Sequence, residues 1–337
     1  MKEKILISHG SGGRLMHSLI KDVLLKRFAS PVLKQLEDSA VLKNVAGKYD
    51  LCFTTDSYTV TPLFFPGGDI GKLAVCGTIN DLAVTGAEPL FLSCGIIAEE
   101  GLETETLKKI IKSMSETAKR ANVEIVTGDF KVVERGKADG IFINTSGIGI
   151  RRKNIKISRD FIKPGDKVII NGVIGEHELA VLAARKKFGI KAGIKSDCAP
   201  LNGLIREILA LSGRIRFMRD PTRGGTATTL NEIAEGLDVG ILLYEKEIPV
   251  SAKVNSLCEI LGFDPLYLAN EGKIIVICGS KDADKILCVM KKHTLGKRAA
   301  VVGEVVREPK GKVIMETSIG SKRIVDMLSG TQLPRIC

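Results

Sequence analysis

Apolar residues return along this chain in two rhythms. Over residues 14–28, 70–84 and 102–121 they recur every three or four positions, the spacing of a helix with one buried side. In the last of these, Lys108, Lys109 and Lys112 fall on the wet side. Between and after them lie short apolar runs at 50–56, 90–98, 123–127 and 141–150, which read as strands. A basic, polar stretch over 151–163 then leads into Pro164-Gly165-Asp166, a turn signal that marks a domain boundary. The alternation starts again with a strand at 167–171. Helices follow at 179–187, 201–211, 227–234 and 283–292, with strands at 240–244 and 273–278. Strands and helices mix without a clean βαβ rhythm, so the expected class is α+β rather than a doubly wound sheet. The implied divisions are 1–35, a glycine-rich loop and helix; 36–155, a first domain; 156–315, a second; and 316–337, a closing segment with a mobile tail.

Length agrees with that division, because 337 residues are more than one core usually holds. Hydrophobic content is an ordinary 44%, but aromatics are only 4% and Trp is absent, so the cores are expected to be Ile, Leu, Val and Ala. No apolar run reaches the roughly 18 residues of a membrane span, and the first residues carry no apolar leader. The expected place is the cytoplasm. Eight cysteines lie without CxxC spacing, and Cys52, Cys76 and Cys278 sit in apolar surroundings, as reduced, buried thiols do. Net charge is +11, which raises nucleic acid as a partner. The basic stretches Arg151-Arg152-Lys153 and Arg185-Lys186-Lys187 have no aromatics interleaved for stacking. A solvated face is the expectation, and no nucleic-acid partner.

Three sets of residues carry candidate chemistry. The acids Asp38, Asp56, Asp81, Asp129 and Asp220 stand at strand ends, a helix end and turns. Each alone is explained as a cap or turn residue; together they suit a Mg²⁺ ion shared with nucleotide phosphates. Glycine clusters form the second set. Ser8-His9-Gly10-Ser11-Gly12-Gly13-Arg14 precedes a helix, and Asp220-Pro221-Thr222-Arg223-Gly224-Gly225-Thr226 precedes another. Such loops let backbone N–H groups converge on an anion at a helix start. Neither is GxGxxG or GxxxxGK[ST], so neither is a dinucleotide fingerprint or a P-loop. Phe65-Pro66-Gly67-Gly68-Asp69-Ile70 reads as a turn plus helix cap. Third, Cys337 closes a polar tail, Ser329-Gly330-Thr331-Gln332-Leu333-Pro334, in which Pro334 prevents a helix from running on. A thiol there is either an incidental surface cysteine or a carrier that visits more than one site.

The motifs have a family likeness. Phe53-Thr54-Thr55-Asp56-Ser57-Tyr58, Pro66-Gly67-Gly68-Asp69-Ile70-Gly71 and Asn80-Asp81-Leu82-Ala83 resemble the PurM-like ATP-binding superfamily of aminoimidazole ribonucleotide synthetase, selenophosphate synthetase and thiamine-monophosphate kinase. Within it, His9-Gly10-Ser11-Gly12-Gly13, Met218-Arg219-Asp220-Pro221-Thr222-Arg223-Gly224-Gly225, Asn270-Glu271-Gly272-Lys273 and Pro334-Arg335-Ile336-Cys337 resemble the HypE family of hydrogenase maturation factors. Gly175-Glu176-His177-Glu178 departs from the Asp-His-Gly pattern expected at that point. The resemblance implies a two-domain fold whose N-terminal sheets pair in a homodimer. It implies ATP and Mg²⁺ as cofactors, a HypF-like carbamoyltransferase that loads the Cys337 thiol, and a HypC–HypD complex that receives the cyano group. The implied reaction is ATP-dependent dehydration of the S-carboxamide on Cys337 to a thiocyanate. Cofactor-site candidates are then Gly10, Ser11, Gly12, Gly13, Asp38, Asp56, Asp81, Asp129, Asp220, Thr222, Arg223 and Gly224. Asp38, Asp56, Asp81 and Asp220 are also the metal candidates. Glu271 is the candidate base, or else a turn acid; Lys131 stabilises a transferring phosphoryl group, or else is a solvated lysine. The rival readings are another small-molecule synthetase or kinase of the superfamily, and a nucleotide-binding scaffold.

Overall fold

A computed structural model of the chain describes residues 4–10, 13–28, 30–185, 193–211, 215–330 and 335–337. The expected first helix forms as α1 (Arg14–Leu19), a wider π-type turn (Ile20–Leu25) and α2 (Lys26–Phe28). The first domain then runs β1 (Ala40–Ala46), β2 (Tyr49–Tyr58), β3 (Phe64–Phe65), β4 (Gly68–Asp69), α3 (Ile70–Val84), β5 (Glu88–Glu99), α4 (Thr104–Ala121), β6 (Glu124–Val133) and β7 (Ile141–Arg152). Its five-stranded sheet has the order β1-β2-β7-β5-β6. The neighbours are antiparallel except β5 and β6.

Alternation along β7 decides which face is buried. Ile141, Ile143 and Thr145 turn inward, while Asn144 and Ile148 turn out. On the inner face, α3 and α4 set Leu73, Ile79, Ile110 and Met114 against Tyr58, Leu92 and Ile143. Helix α3 is buried almost all round, because its last residues, Ala83 and Val84, also enter the core of the second domain. Asp69 caps it: Oδ1 accepts from the Gly71 N–H at 2.8 Å and the Lys72 N–H at 3.1 Å. The glycines before α3 therefore form the turn and cap that the sequence suggests. The outer face of the sheet is uncovered. Phe53 pairs with Ile148 and Ile148 with Phe91, an apolar row across three strands, each about two-fifths exposed at 42, 39 and 41%.

The second domain comprises β8 (Lys167–Ile170), α5 (Glu176–Ala184), α6 (Asn202–Ala210), β9 (Ile215–Arg219), α7 (Gly225–Ala234), β10 (Gly240–Tyr244), α8 (Ala252–Leu261), β11 (Ile275–Cys278), α9 (Ser280–Lys292), β12 (Ala300–Val306), β13 (Val313–Glu316) and β14 (Lys322–Val325). Its sheet has the order β14-β13-β10-β12-β8-β11-β9. An aliphatic core of Val168, Ile170, Leu204, Ile208, Leu230, Ile275 and Ile286 lies against it, with Phe217 the aromatic member. Strands β1, β9 and β12–β14 are too short or too mixed in pattern to stand out in the sequence.

A polar wedge joins the domains. Asn80, buried in α3, accepts from the Leu201 N–H at 2.8 Å, and its amide lies 3.2 Å from the Ala199 carbonyl and 3.3 Å from that of Glu271. The expected solvated basic face needs correction at two arginines: Arg185 is half-buried and donates to the Thr61 and Arg335 carbonyls, while Lys186 and Lys187 lie outside the described residues. Arg151 is not part of a solvated basic face: it is buried, 3.2 Å from Asp50, and donates to the Thr85 carbonyl. Its partner lies on the adjacent strand, invisible to local composition. Cys52, Cys76 and Cys278 are buried free thiols, as expected. Among the described residues no helix is long and apolar enough to cross a membrane.

Candidate functional site

Four of the acids meet where the two domains face each other. Asp38 precedes β1, Asp56 lies near the end of β2, Asp81 in the last turn of α3, and Asp220 directly after β9. Thr54 links three elements, its hydroxyl 2.9 Å from the Asp38 carbonyl and 3.1 Å from Asp81 Oδ2. Arg219 is the half-buried counter-ion, with Nε 3.0 Å from Asp38 and Nη2 3.1 Å from Glu232.

Arg219, with Arg223 beside Asp56, does not neutralise this many acids. Burial, then the charges of Asp220, Asp38 and Asp56, hold the Asp81 carboxyl well above the ordinary range. Burial and then Asp38 push Asp220 up to about 8. Asp56 rises through burial, against the pull of Arg223. Such a set of hard oxygen donors is short of positive charge. Among the described residues, no three His, Cys, Asp or Glu side chains are arranged as a ready-made metal cage. The donor chemistry fits a Mg²⁺ ion that takes part of its shell from phosphate oxygens and water, and does not fit a metal held by protein alone.

The glycine loop after Asp220 opens α7. Gly224 and Gly225 have φ of 79° and 62°. A Cβ on Gly225 would lie 2.5 Å from the Leu266 carbonyl oxygen, so the turn admits only glycine there. The Thr222 carbonyl accepts from the Gly225 N–H at 2.9 Å. Arg223 reaches across to donate to the Gly10 carbonyl, which brings both glycine loops to one rim. Gly13 joins that rim through the neighbouring Arg14, whose N–H donates to the Leu328 carbonyl at 3.1 Å. Arg14 is also ion-paired with Asp326. Ser11 and Gly12 lie outside the described residues.

Glu271 sits on a pinned loop before β11. Asp197 accepts from the Glu271 N–H at 3.1 Å and the Gly272 N–H at 3.3 Å, and pairs with Lys273 at 2.8 Å. Asn270 donates to the Pro221 carbonyl at 3.0 Å and accepts from the Gly175 N–H at 2.8 Å. Burial first, then the neighbouring Cys198 and acids, hold the Glu271 carboxyl well above its ordinary value.

The closing residues are docked into this site. Cys337 is buried, and its main-chain oxygen accepts from the Thr59 N–H at 3.3 Å. The Arg335 carbonyl accepts from the Thr61 N–H at 3.1 Å and from Arg185 Nη2 at 2.9 Å, while Arg335 Nε donates to the Thr59 carbonyl at 2.9 Å. The segment thus lies antiparallel to residues 59–61. Arg335 also pairs with Asp139 and lies 5.8 Å over the Phe142 ring. Burial pushes the Cys337 thiol up to about 12; Arg223 pulls it down, and Glu271 and Asp56 push it further up. The docked sulfur is therefore a thiol, not a thiolate.

A carbamoyl dehydratase, HypE of Cupriavidus necator, is 47% identical over 334 residues, which span 99% of this chain and 95% of that protein. This chain belongs to the HypE family. Two solved HypE structures match it over nine-tenths of its length or more. A HypE–HypF complex superposes with a TM-score of 0.87 at 49% identity, over 92% of this chain and all of that one. HypE in complex with ATP superposes with a TM-score of 0.82 at 45% identity, over 99% of this chain and 100% of that one. The AIR synthase related N-terminal and C-terminal domains match residues 36–151 and 163–316.

In this HypE-family chain the cluster brings together Asp38, Asp56, Asp81, Asp220, Thr222, Arg223, Gly224, Glu271 and Cys337, with Gly10 and Gly13 at its rim. Asp129 and Lys131 are elsewhere. They form an exposed 2.7 Å ion pair on β6, the edge strand, on the uncovered face with Phe53 and Phe91. Residues 331–334 of the tail lie outside the described residues. Of the residues that hold Arg335–Cys337, His177 stands in the Gly175–Glu178 motif and Arg185 in a basic stretch, while Thr59 and Thr61 carry no local sequence signal; all four bind main-chain atoms of the tail or of residues beside it, and only folding brings them together.

Proposed function

We propose that this chain uses ATP to dehydrate an S-carboxamide carried on its own Cys337, R–S–C(=O)–NH₂ + ATP → R–S–C≡N + ADP + phosphate. The observation that carries this reading is the burial of Cys337 in the same pocket as Glu271, Arg223 and Asp56. An amide oxygen leaves poorly. Transferred onto phosphorus, it departs as phosphate while two N–H protons are lost. The glycine loops at Gly10, Gly13 and Thr222–Gly225 would cradle the phosphates, and the start of α7 favours their charge. Asp38, Asp56, Asp81 and Asp220 are the residues to hold Mg²⁺, which supplies charge neutralisation of the phosphoryl group. Glu271 is the base: on a fixed loop and raised in pKa, its carboxylate takes a proton readily when it is ionised. Because the docked thiol resists ionisation, loading of the carbamoyl group belongs to an undocked tail exposed to a HypF-like carbamoyltransferase. A HypC–HypD complex is the proposed acceptor of the cyano group, in the cytoplasm.

The uncovered row Phe53–Ile148–Phe91 supports pairing of two such sheets in a homodimer. In that arrangement Asp129 and Lys131 lie at the pairing surface, and Lys131 reaches a phosphoryl site only across it. Mass spectrometry of the C-terminal peptide tests the central claim. Carbamoylated protein given Mg-ATP should lose one water from the group on Cys337. A nucleotide-switch scaffold would keep that water, and its retention with active carbamoyltransferase present would refute the dehydratase reading.

A further inference from the structure

We propose that His177 is a positioning residue for the carrier arm, holding the Cys337 thiol in its inward pose through the Ile336 carbonyl. The inference rests on the reading of Cys337 as carrier. His177, near the start of α5, is completely buried. Its Nε2 lies 2.8 Å from the Ile336 carbonyl oxygen, 159 residues away in sequence. That oxygen only accepts, so Nε2 carries the proton. The hydrogen bonds to the main-chain oxygen of Cys337 itself are longer, 3.3 Å from Thr59 N and 3.4 Å from Thr59 Oγ1. The peptide plane just before the thiol is thus fixed most closely by the imidazole, and with it the direction in which the Cys337 side chain leaves the backbone.

The ring is held from its other side. Nδ1 lies 2.8 Å from Ser196 Oγ, and the Cys198 N–H donates to the same Oγ at 3.0 Å. With Nε2 protonated, the neutral ring accepts from the Ser196 hydroxyl, so one chain of hydrogen bonds runs from Cys198 through Ser196 and His177 to Ile336. Phe65 meets the ring edge-on, with centroids 5.4 Å apart and planes at 87°. Burial holds the imidazole below its ordinary pKa, which favours the neutral ring, and the Ile336 carbonyl selects the tautomer protonated at Nε2. A histidine serving only the core would find both partners within its own domain. Here Nε2 loses its partner whenever the arm swings out, so the donor favours the inward arm.

The test uses the full-length protein and three variants. His177→Phe keeps the ring packing and removes both bonds. His177→Gln retains an amide donor. Ser196→Ala removes only the outer link. The first readout is the alkylation rate of Cys337 by iodoacetamide with ATP bound, followed on the C-terminal peptide. It needs no carbamoyl group, so it stands even if the dehydratase reading fails. His177→Phe should alkylate about tenfold faster, the effect of one lost buried hydrogen bond, with unchanged ATP affinity. Single-turnover dehydration should slow by a similar factor, His177→Gln should recover most of it, and Ser196→Ala should shift alkylation in the same direction but less. Alkylation at the parent rate in both His177→Phe and Ser196→Ala would overturn the proposal, as would a His177→Gln variant no better than His177→Phe. If His177→Phe does not fold, the His177→Gln and Ser196→Ala pair decides in the same way.

Discussion

Replacing Asp220 with asparagine should stabilise the protein while removing one of the proposed Mg²⁺ ligands. The Asp220 carboxyl is buried and sits at about 8, against an ordinary 3.8, because burial and then Asp38 disfavour its charge. A carboxyl raised in the folded state opposes folding: the penalty is absent below about pH 4, grows as pH rises, and levels off near pH 8. At about 1.4 kcal/mol per pH unit, the interval of roughly four units bounds it at about 6 kcal/mol. Water entering the interdomain cleft screens the charge and reduces this to roughly 2–4 kcal/mol. Paired urea titrations of parent and Asp220→Asn at about pH 4, 6 and 8 should show the variant gaining stability steadily and reaching that margin at the highest pH. Saturating Mg-ATP should narrow the gap, since cation and carboxylate then compensate each other. An Asp220→Asn protein no more stable than its parent at pH 8, or a difference that does not change with pH, would refute the account of a charge-starved acid cluster.

Other perturbations act on separate parts of the fold. Arg219→Leu strips Asp38 and Glu232 of their shared cation at 3.0 and 3.1 Å and should cost about 3–5 kcal/mol; an unchanged urea midpoint would contradict this. Asn80→Ala removes the wedge to Leu201, Ala199 and Glu271; a loss of about 2–4 kcal/mol, with calorimetry splitting into two domain transitions, is expected. Phe91→Lys places a charge in the apolar row of the uncovered sheet. Under the proposed sheet pairing, sedimentation velocity should show a dimer for the parent and a monomer for the variant, and a persistent dimer would reject that pairing.

Local pattern carried the long elements. Helix α3 and strand β7 stand almost where apolar spacing put them, because each has a run of contacts long enough to fix its period. Strands β1, β9, β12, β13 and β14 escaped notice. Four to seven mixed residues become strands only when a neighbour supplies their hydrogen bonds. Arg151 shows the same limit: beside Arg152 and Lys153 it reads as surface, and only the pairing of β2 with β7 brings Asp50 to it.

What the sequence determined by itself is the chemistry on offer: acids that suit Mg²⁺, glycines that let the backbone approach an anion, and a thiol after a proline-limited tail. These are properties of residue type and neighbouring residues, so they survive without coordinates. Tertiary structure decided which groups meet. It gathered Asp38, Asp56, Asp81 and Asp220 into one cleft, left Lys131 on a distant strand edge, and gave Ile336 a histidine 159 residues away. The reason is that charge repulsion, burial and hydrogen bonding act over a few ångströms in space, a distance that separation along the chain does not encode.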